Sequence, residues 1–167
     1  MKVFNRKKGF TLIELLIVIG IIAILMAIAI VAINPARQFA KANNARRWGD
    51  VSAIADAISI RVIDEKGGWT IAAGCEALPT DGAIKSLAAD PAPDDPTVVD
   101  LCGCLIDEYL GAIPLDPTTS TAPTTPPCTG YDTGYEITGT TAGRIKISAP
   151  TIDDEGTGTP PEISVTR

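Results

Sequence analysis

Histidine is absent from the 167-residue chain, and with it the commonest general base and the commonest zinc ligand. Aromatic residues are scarce, at 5%. Much of the hydrophobic content sits in one N-terminal block, so the distal part has a modest core that calls for cross-links. Neither Gly-x-Ser-x-Gly nor a glycine-rich phosphate loop occurs. The paired acids Asp94-Asp95 lie in a proline-rich loop, a setting for solvated carboxylates rather than a tuned catalytic pair. An enzyme is therefore not expected. Acids are also missing from the first nine residues, where Lys2, Arg6, Lys7 and Lys8 crowd together. From Trp48 onward acids dominate and bring the net charge to -6. Such a distal part repels phosphate backbones, which disfavours nucleic acid as a partner. A second basic stretch, Arg37, Lys41, Arg46 and Arg47, reads as a solvated helix face, with lipid headgroups or nucleic acid as secondary partners.

What the chain does have is a nearly unbroken apolar run from Phe10 to Ile33. As a helix, about 24 residues span about 36 Å, enough to cross a bilayer. The run is longer than the apolar core of a secretory signal peptide and lacks a good small-residue cleavage site after it, so it reads as a retained anchor. The positive-inside rule leaves the N-terminus in the cytoplasm. Asn34-Pro35 then predicts a kink or short break at Pro35. Helical periodicity resumes in Val51, Ile54, Ala55, Ile58 and Val62, and Gly67-Gly68 is a stop. One long helix from about Phe10 to Lys66 is expected, apolar all round in its first half and amphipathic in its second. Beyond it, Asp81 to Ala89 reads as a short helix, and Asp90 to Pro96 as an acidic loop. Val98 to Leu110 is ambiguous between helix and strand, and Pro114 to Gly130 reads as an irregular Pro/Thr-rich surface loop. Gly134 to Thr138, Arg144 to Ala149 and Glu162 to Thr166 read as strands. The fold class is thus α+β: a long N-terminal helix packed on a small antiparallel sheet. Trp69, Tyr131 and Tyr135 complete its core rather than stack on a ligand.

Glu14 is a lone carboxylate near one end of the apolar span, and such groups are costly in a membrane without a partner. Its setting, Lys7-Lys8-Gly9-Phe10-Thr11-Leu12-Ile13-Glu14 followed by Leu15-Leu16-Ile17-Val18, resembles the prepilin signature of type IV pilins and type II secretion pseudopilins. The close likeness covers about the first 30 residues. It implies a cleavable leader at residues 1–9, a transmembrane and assembly helix at 10–33, an amphipathic helix at 34–67 and an extracytoplasmic head at 68–167. It further implies that prepilin peptidase cuts between Gly9 and Phe10 and methylates the new Phe10 amine, and that Glu14 pairs with that amine on a neighbouring subunit during assembly. The implied partners are other subunits of the same filament, the peptidase, an inner-membrane assembly platform and, before assembly, membrane lipid. The implied location is the inner membrane first and an extracytoplasmic filament afterwards. Loss of residues 1–9 removes four positive charges and no acid, taking the net charge from -6 to -10. The family often has proline where Val31 stands here, about one helical turn before Pro35.

Pro114-Leu115-Asp116-Pro117 is similar to a segment that precedes the terminal strands of many pseudopilins, in some of which the following loop binds calcium. Asp116 and Asp132 offer hard oxygen ligands for that ion, although turn-forming aspartates are the plainer reading, and no cofactor is the leading expectation. The four cysteines, Cys75, Cys102, Cys104 and Cys128, all lie beyond the anchor, where an even count favours disulfides. Cys102 and Cys104 are too close to pair with each other, so each joins Cys75 or Cys128, leaving two connectivities. A four-thiolate metal site is disfavoured by the short Cys-x-Cys spacing. A filament subunit is the leading reading. The rivals are a secretion pseudopilin and, from another class, a single-span membrane protein carrying a small extracytoplasmic binding domain.

Overall fold

The structure is a computed structural model that describes residues 9–67, 69, 81–85, 98–124, 128–139, 144–156 and 158–167. The chain divides into two compact units, Met1–Gln38 and Phe39–Arg167.

The first unit contains helix α1, Leu12–Ile33. Every residue of α1 is exposed, and it is the one helix among the described residues long and apolar enough to cross a membrane. Its end is set at Asn34, which takes a left-handed conformation with φ 45°. Two local forces select that conformation: the residue before proline is disfavoured in the right-handed helical region, and asparagine tolerates the left-handed one. Pro35 then opens helix α2, Pro35–Asp64, where its missing N–H and fixed φ suit a first helical position. Asn34 also caps the new helix, its Oδ1 accepting from Arg37 N–H at 3.4 Å. The break expected at Asn34-Pro35 is thus present, at Asn34, with Pro35 already inside α2.

The second unit is built on the remainder of α2. Its buried positions run Ala40, Asn44, Arg47, Val51, Ile54, Ala55, Ala57, Ile58 and Arg61. Helix α2 stops in a Schellman arrangement: Gly67 N–H donates to Val62 C=O at 2.7 Å and Lys66 N–H to Ile63 C=O at 3.0 Å. Lys66 and Gly67 both have positive φ there, so orphan carbonyls of the last turn are satisfied. Against the apolar half of the buried stripe lies a five-stranded sheet in the order β2-β1-β3-β4-β5. The strands are β1 Asp81–Lys85, β2 Val98–Val99, β3 Asp132–Gly139, β4 Ile145–Ser148 and β5 Ser164–Thr166. A one-turn helix α3, Cys102–Leu105, follows β2. Strand β3 alternates inward Thr133, Tyr135 and Ile137 with outward neighbours, the period-two pattern of a sheet covered on one face. The core joins Val51, Ile54 and Ile58 to Ile84, Leu105, Tyr135, Ile137, Ile147 and Ile163. A smaller cluster holds Cys102, Ile113 and Tyr131. Both tyrosines are core residues, and half-buried Trp69 packs at the rim with the Arg61 guanidinium 4.5 Å from its ring centroid.

Several expectations change. The sheet is mixed, because β1 and β2 run parallel through Ala83↔Val98 and Ile84↔Val99. Asp81–Lys85 is a strand, not the start of a helix; its Asp81, Gly82 and Ala83 pair with Thr138, Ile137 and Glu136 of β3. Val98 to Leu110 divides into strand β2 and helix α3. The Pro114–Gly130 segment is not wholly a surface loop, since Asp116 within it is buried. The acidic loop Asp90 to Pro96 and residues 86–89 lie outside the described residues.

Candidate functional site

The residues that resemble a processing and assembly signal sit at the start of α1. Thr11 is the N-cap in extended conformation, and Glu14 is the third residue of the helix. Thr11 Oγ1 accepts from Glu14 N–H at 3.3 Å. In return the Glu14 carboxylate, through Oε2, accepts from Thr11 N–H at 2.8 Å and from Thr11 Oγ1–H at 2.7 Å. This capping box satisfies helix N–H groups that have no partner within the helix, and it places negative charge at the positive end of the helix dipole. All three contacts use one carboxylate oxygen or the threonine hydroxyl. Glu14 Oε1 has no hydrogen-bond partner and Glu14 has no ion-pair partner among the described residues. Glu14 is also the only ionisable side chain in α1.

Ahead of the cap, Gly9 and Phe10 are both exposed. A Cβ added at Gly9 would meet nothing within 4 Å, and its φ is not in the left-handed region. The fold itself therefore places no demand for glycine at this position.

A second polar constellation lies in the head. Arg47 is completely buried, yet all five of its guanidinium N–H groups find acceptors. Nε donates to Asp116 Oδ2 at 2.6 Å and one Nη2 hydrogen to Asp116 Oδ1 at 3.3 Å, a bidentate pair. Nη2 also donates to Thr118 Oγ1 at 2.7 Å, and Nη1 to Asn44 Oδ1 and Asp153 Oδ2, both at 2.9 Å. Burial alone pushes the Asp116 carboxyl up. The Arg47 guanidinium, together with the N–H groups of Thr118 and Thr119, more than offsets this and holds it well below the ordinary carboxylate range. Asn43 and Arg47 likewise hold Asp153 low. The cluster ties α2 to two loops, at 116–119 and 153–155. Arg37, Lys41 and Arg46 are exposed as a solvated basic face requires, but Arg47 is not part of that face. The apolar register itself marks Arg47, which lies four residues before Val51 on the buried stripe. The capping box is equally visible in the spacing Thr11-x-x-Glu14.

Among the described residues no three acidic or thiol side chains gather as a group that could hold a metal ion. Asp116 is engaged as above, and a cation there would have to displace Arg47. Asp132 Oδ1 accepts from Gly134 N–H at 2.9 Å, a local turn contact. Cys102 and Cys128 are joined by a disulfide, with Cα atoms 5.4 Å apart. Cys104 is disulfide-bonded as well, while Cys75 lies outside the described residues.

Residues 4–30 match the family model described as the prokaryotic N-terminal methylation motif. No curated protein and no solved structure matches the chain. The motif supports a type IV pilin- or pseudopilin-like precursor. An apolar helix at the N-terminus, followed by a second helix and a small mixed sheet, is consistent with an α+β pilin-like fold. The chain thus carries, on such a fold, the prepilin-type signature of type IV pilins and pseudopilins.

Proposed function

We infer that the chain is a structural subunit of a type IV pilus-like filament, cut between Gly9 and Phe10 by prepilin peptidase, methylated at the Phe10 amine and assembled through α1. The observation that carries this reading is the two-sided state of Glu14: one oxygen holds the helix cap, and the other is open. A carboxylate in an apolar setting is costly until a cation reaches it. Cleavage creates such a cation at Phe10, and a neighbouring subunit docked in register would bring it to Oε1. Gly9 fits the same reading. The fold leaves room there for a side chain, so a requirement for glycine would come from a peptidase that threads extended backbone through a narrow site. The exposed apolar surface of α1 first meets lipid and then, in the filament, other copies of α1. Those contacts must outweigh the repulsion between mature chains whose net charge is -10 after leader removal.

Mass spectrometry of the mature N-terminus tests the processing step. The expected chain begins at N-methylated Phe10. A chain that begins at Met1, or one cut after residue 33, would overturn the reading in favour of a plain single-span membrane protein. The assembly role of Glu14 has its own test: Glu14→Ala should abolish or sharply lower filament yield while the precursor is still made and inserted. Wild-type yield would remove that role.

A further inference from the structure

Charge is divided unevenly along the chain. Residues 35–49 hold Arg37, Lys41, Arg46 and Arg47 and no acid, whereas residues 50–167 hold six basic and nineteen acidic side chains, a net charge of -13. Arg47 is buried, but Arg37, Lys41 and Arg46 are exposed. Neither Arg37 nor Lys41 has an ion-pair partner among the described residues. Arg46 reaches only Asp50, at 3.7 Å, and that carboxylate also accepts from the Tyr135 hydroxyl at 2.8 Å. The same stretch carries apolar surface. Beyond α1 the exposed large hydrophobic residues are Phe39, Trp48, Ile60 and Ile63. Both aromatic ones fall in the acid-free stretch, whereas Ile60 and Ile63 lie between Asp56 and Asp64. The Trp48 indole N–H has no partner among the described residues.

Helical spacing sorts these side chains. Arg37, Lys41 and Trp48 lie along one flank of the exposed side of α2, and Phe39 and Arg46 along the other. Between the flanks run Ala42, Ala45 and Gly49, all exposed, on the side of α2 turned away from its buried stripe. The middle of this face is small and apolar, and each edge pairs an aromatic ring with basic groups on long stems. That is the arrangement of an interfacial helix: rings enter the boundary of the hydrocarbon and the basic groups reach back to headgroups. Position favours the same partner. Arg37 and Lys41 lie only about 5 and 11 Å along the helix from Asn34, where the apolar span ends. Topology does not account for the charge, because the positive-inside rule is met by Lys2, Arg6, Lys7 and Lys8 and puts residues 35–49 on the other side. An acidic surface on a second copy would match the charge, but not the aromatic residues or their place beside the span.

We propose that, before assembly, this face of α2 binds the headgroups of anionic phospholipids in the leaflet from which α1 emerges. Arg37, Lys41 and Arg46 contact the phosphates, and Phe39 and Trp48 sit at headgroup level. The acidic remainder of the head is repelled by the same surface, so the charge division orients the subunit as well as holding it. The proposal rests on the filament-subunit reading only in that α1 must lie in a membrane.

The test uses Trp48 fluorescence from the full chain carrying Trp69→Phe, reconstituted in vesicles of three parts phosphatidylcholine to one part phosphatidylglycerol. Bromine near the ester end of the acyl chains is placed on one lipid or the other at equal total bromine. Brominated phosphatidylglycerol should quench Trp48 at least about twofold more strongly than brominated phosphatidylcholine. The preference should disappear in the R37Q/K41Q/R46Q variant and at about 1 M salt, where the Debye length is about 3 Å. Wild type minus Trp48→Phe yields the same signal, so the result does not depend on the folding of the Trp69→Phe chain. Equal quenching by the two lipids would overturn the proposal, and so would quenching by neither. Shielding of Trp48 from acrylamide that vanishes when the protein is diluted in the membrane would assign the face to a second copy instead. Processing is read separately from the mature N-terminus: a chain that still begins at Met1 can show the lipid preference, and a chain that begins at Phe10 can lack it.

Discussion

Asp116→Ala should be one of the most damaging single substitutions in the head. It removes both carboxylate oxygens from the Arg47 guanidinium, and both side chains of that pair are fully buried. Removing one partner of a buried ion pair costs about 3–5 kcal/mol, because the other charge is left uncompensated. Asp153 remains 2.9 Å from Nη1 and is partly exposed, so it retains some compensation, and the lower end is expected, about 3 kcal/mol. The Thr118 and Thr119 N–H groups lose their acceptor as well. For a domain of this size the loss corresponds to a fall of roughly 10 °C in Tm. The assay is thermal and urea unfolding of the leaderless chain in detergent micelles near pH 7, followed by circular dichroism. A double variant, Arg47→Met with Asp116→Leu, isolates the cause. It replaces the pair with apolar volume, and such exchanges are often neutral or stabilising. It should therefore lie closer to wild type than Asp116→Ala does. A cost below about 1 kcal/mol for Asp116→Ala, or a double variant worse than the two single losses together, would refute the reasoning.

The same cluster makes the head sensitive to acid. Because the folded Asp116 carboxyl sits below its unfolded value of about 3.9, its contribution is complete above that value and is lost as pH falls through the folded one; stability measured from pH 6 downward should fall in that window, and Asp116→Asn should flatten the fall. Cys102→Ser opens a disulfide that spans 26 residues and should cost about 2–4 kcal/mol, read from the urea midpoint, with a thiol reductant costing wild type at least as much because it also opens the Cys104 bridge. Gly134 has φ 74°, and a Cβ there would lie 2.7 Å from Thr119 Oγ1 and 2.9 Å from Asp116 Cβ. Gly134→Ala should accordingly cost at least about 1–2 kcal/mol, and a wild-type melting curve would count against the described packing of β3 on the 116–119 loop.

The parts of this fold that the sequence makes legible are those whose pattern is local. Ile145 and Ile147 alternate with polar residues and form β4; the period of three and four from Val51 to Val62 places one face of α2 in the core. Strand β1 is not legible in that way. Asp81-Gly82-Ala83-Ile84-Lys85 has one fully buried residue and no clear alternation, and its conformation is set by pairing with β3, some 50 residues away. The parallel contact with β2 is likewise a tertiary decision. Arg47 escapes a reading by charge because a basic side chain next to Arg46 looks solvated. It is visible to a reading by register, which places it on the Val51 face and raises the question of which acid accompanies it. That acid, Asp116, is 69 residues away, and no spacing rule reaches that far.

Two carboxylates, Asp116 buried in the head and Glu14 at one end of an apolar helix, meet the same physical problem in opposite ways. Asp116 finds its cation within the chain, so its charge contributes to folding, and its removal should be felt as lost stability in an isolated subunit. Glu14 finds none among the described residues. Its cap contacts with Thr11 satisfy hydrogen bonds but leave the charge of the carboxylate without a counter-charge. On the proposed function a cation for Glu14 comes from the cleaved Phe10 amine of another subunit, and removal of Glu14 should be felt in association while the fold of the single subunit is left intact. Substitution at 116 should therefore move Tm and leave the processing site untouched, and substitution at 14 should do the reverse, changing filament yield at constant Tm. A Glu14 variant whose head melted early would break this division, because it would mean that the first turn of α1 is coupled to the stability of the second unit.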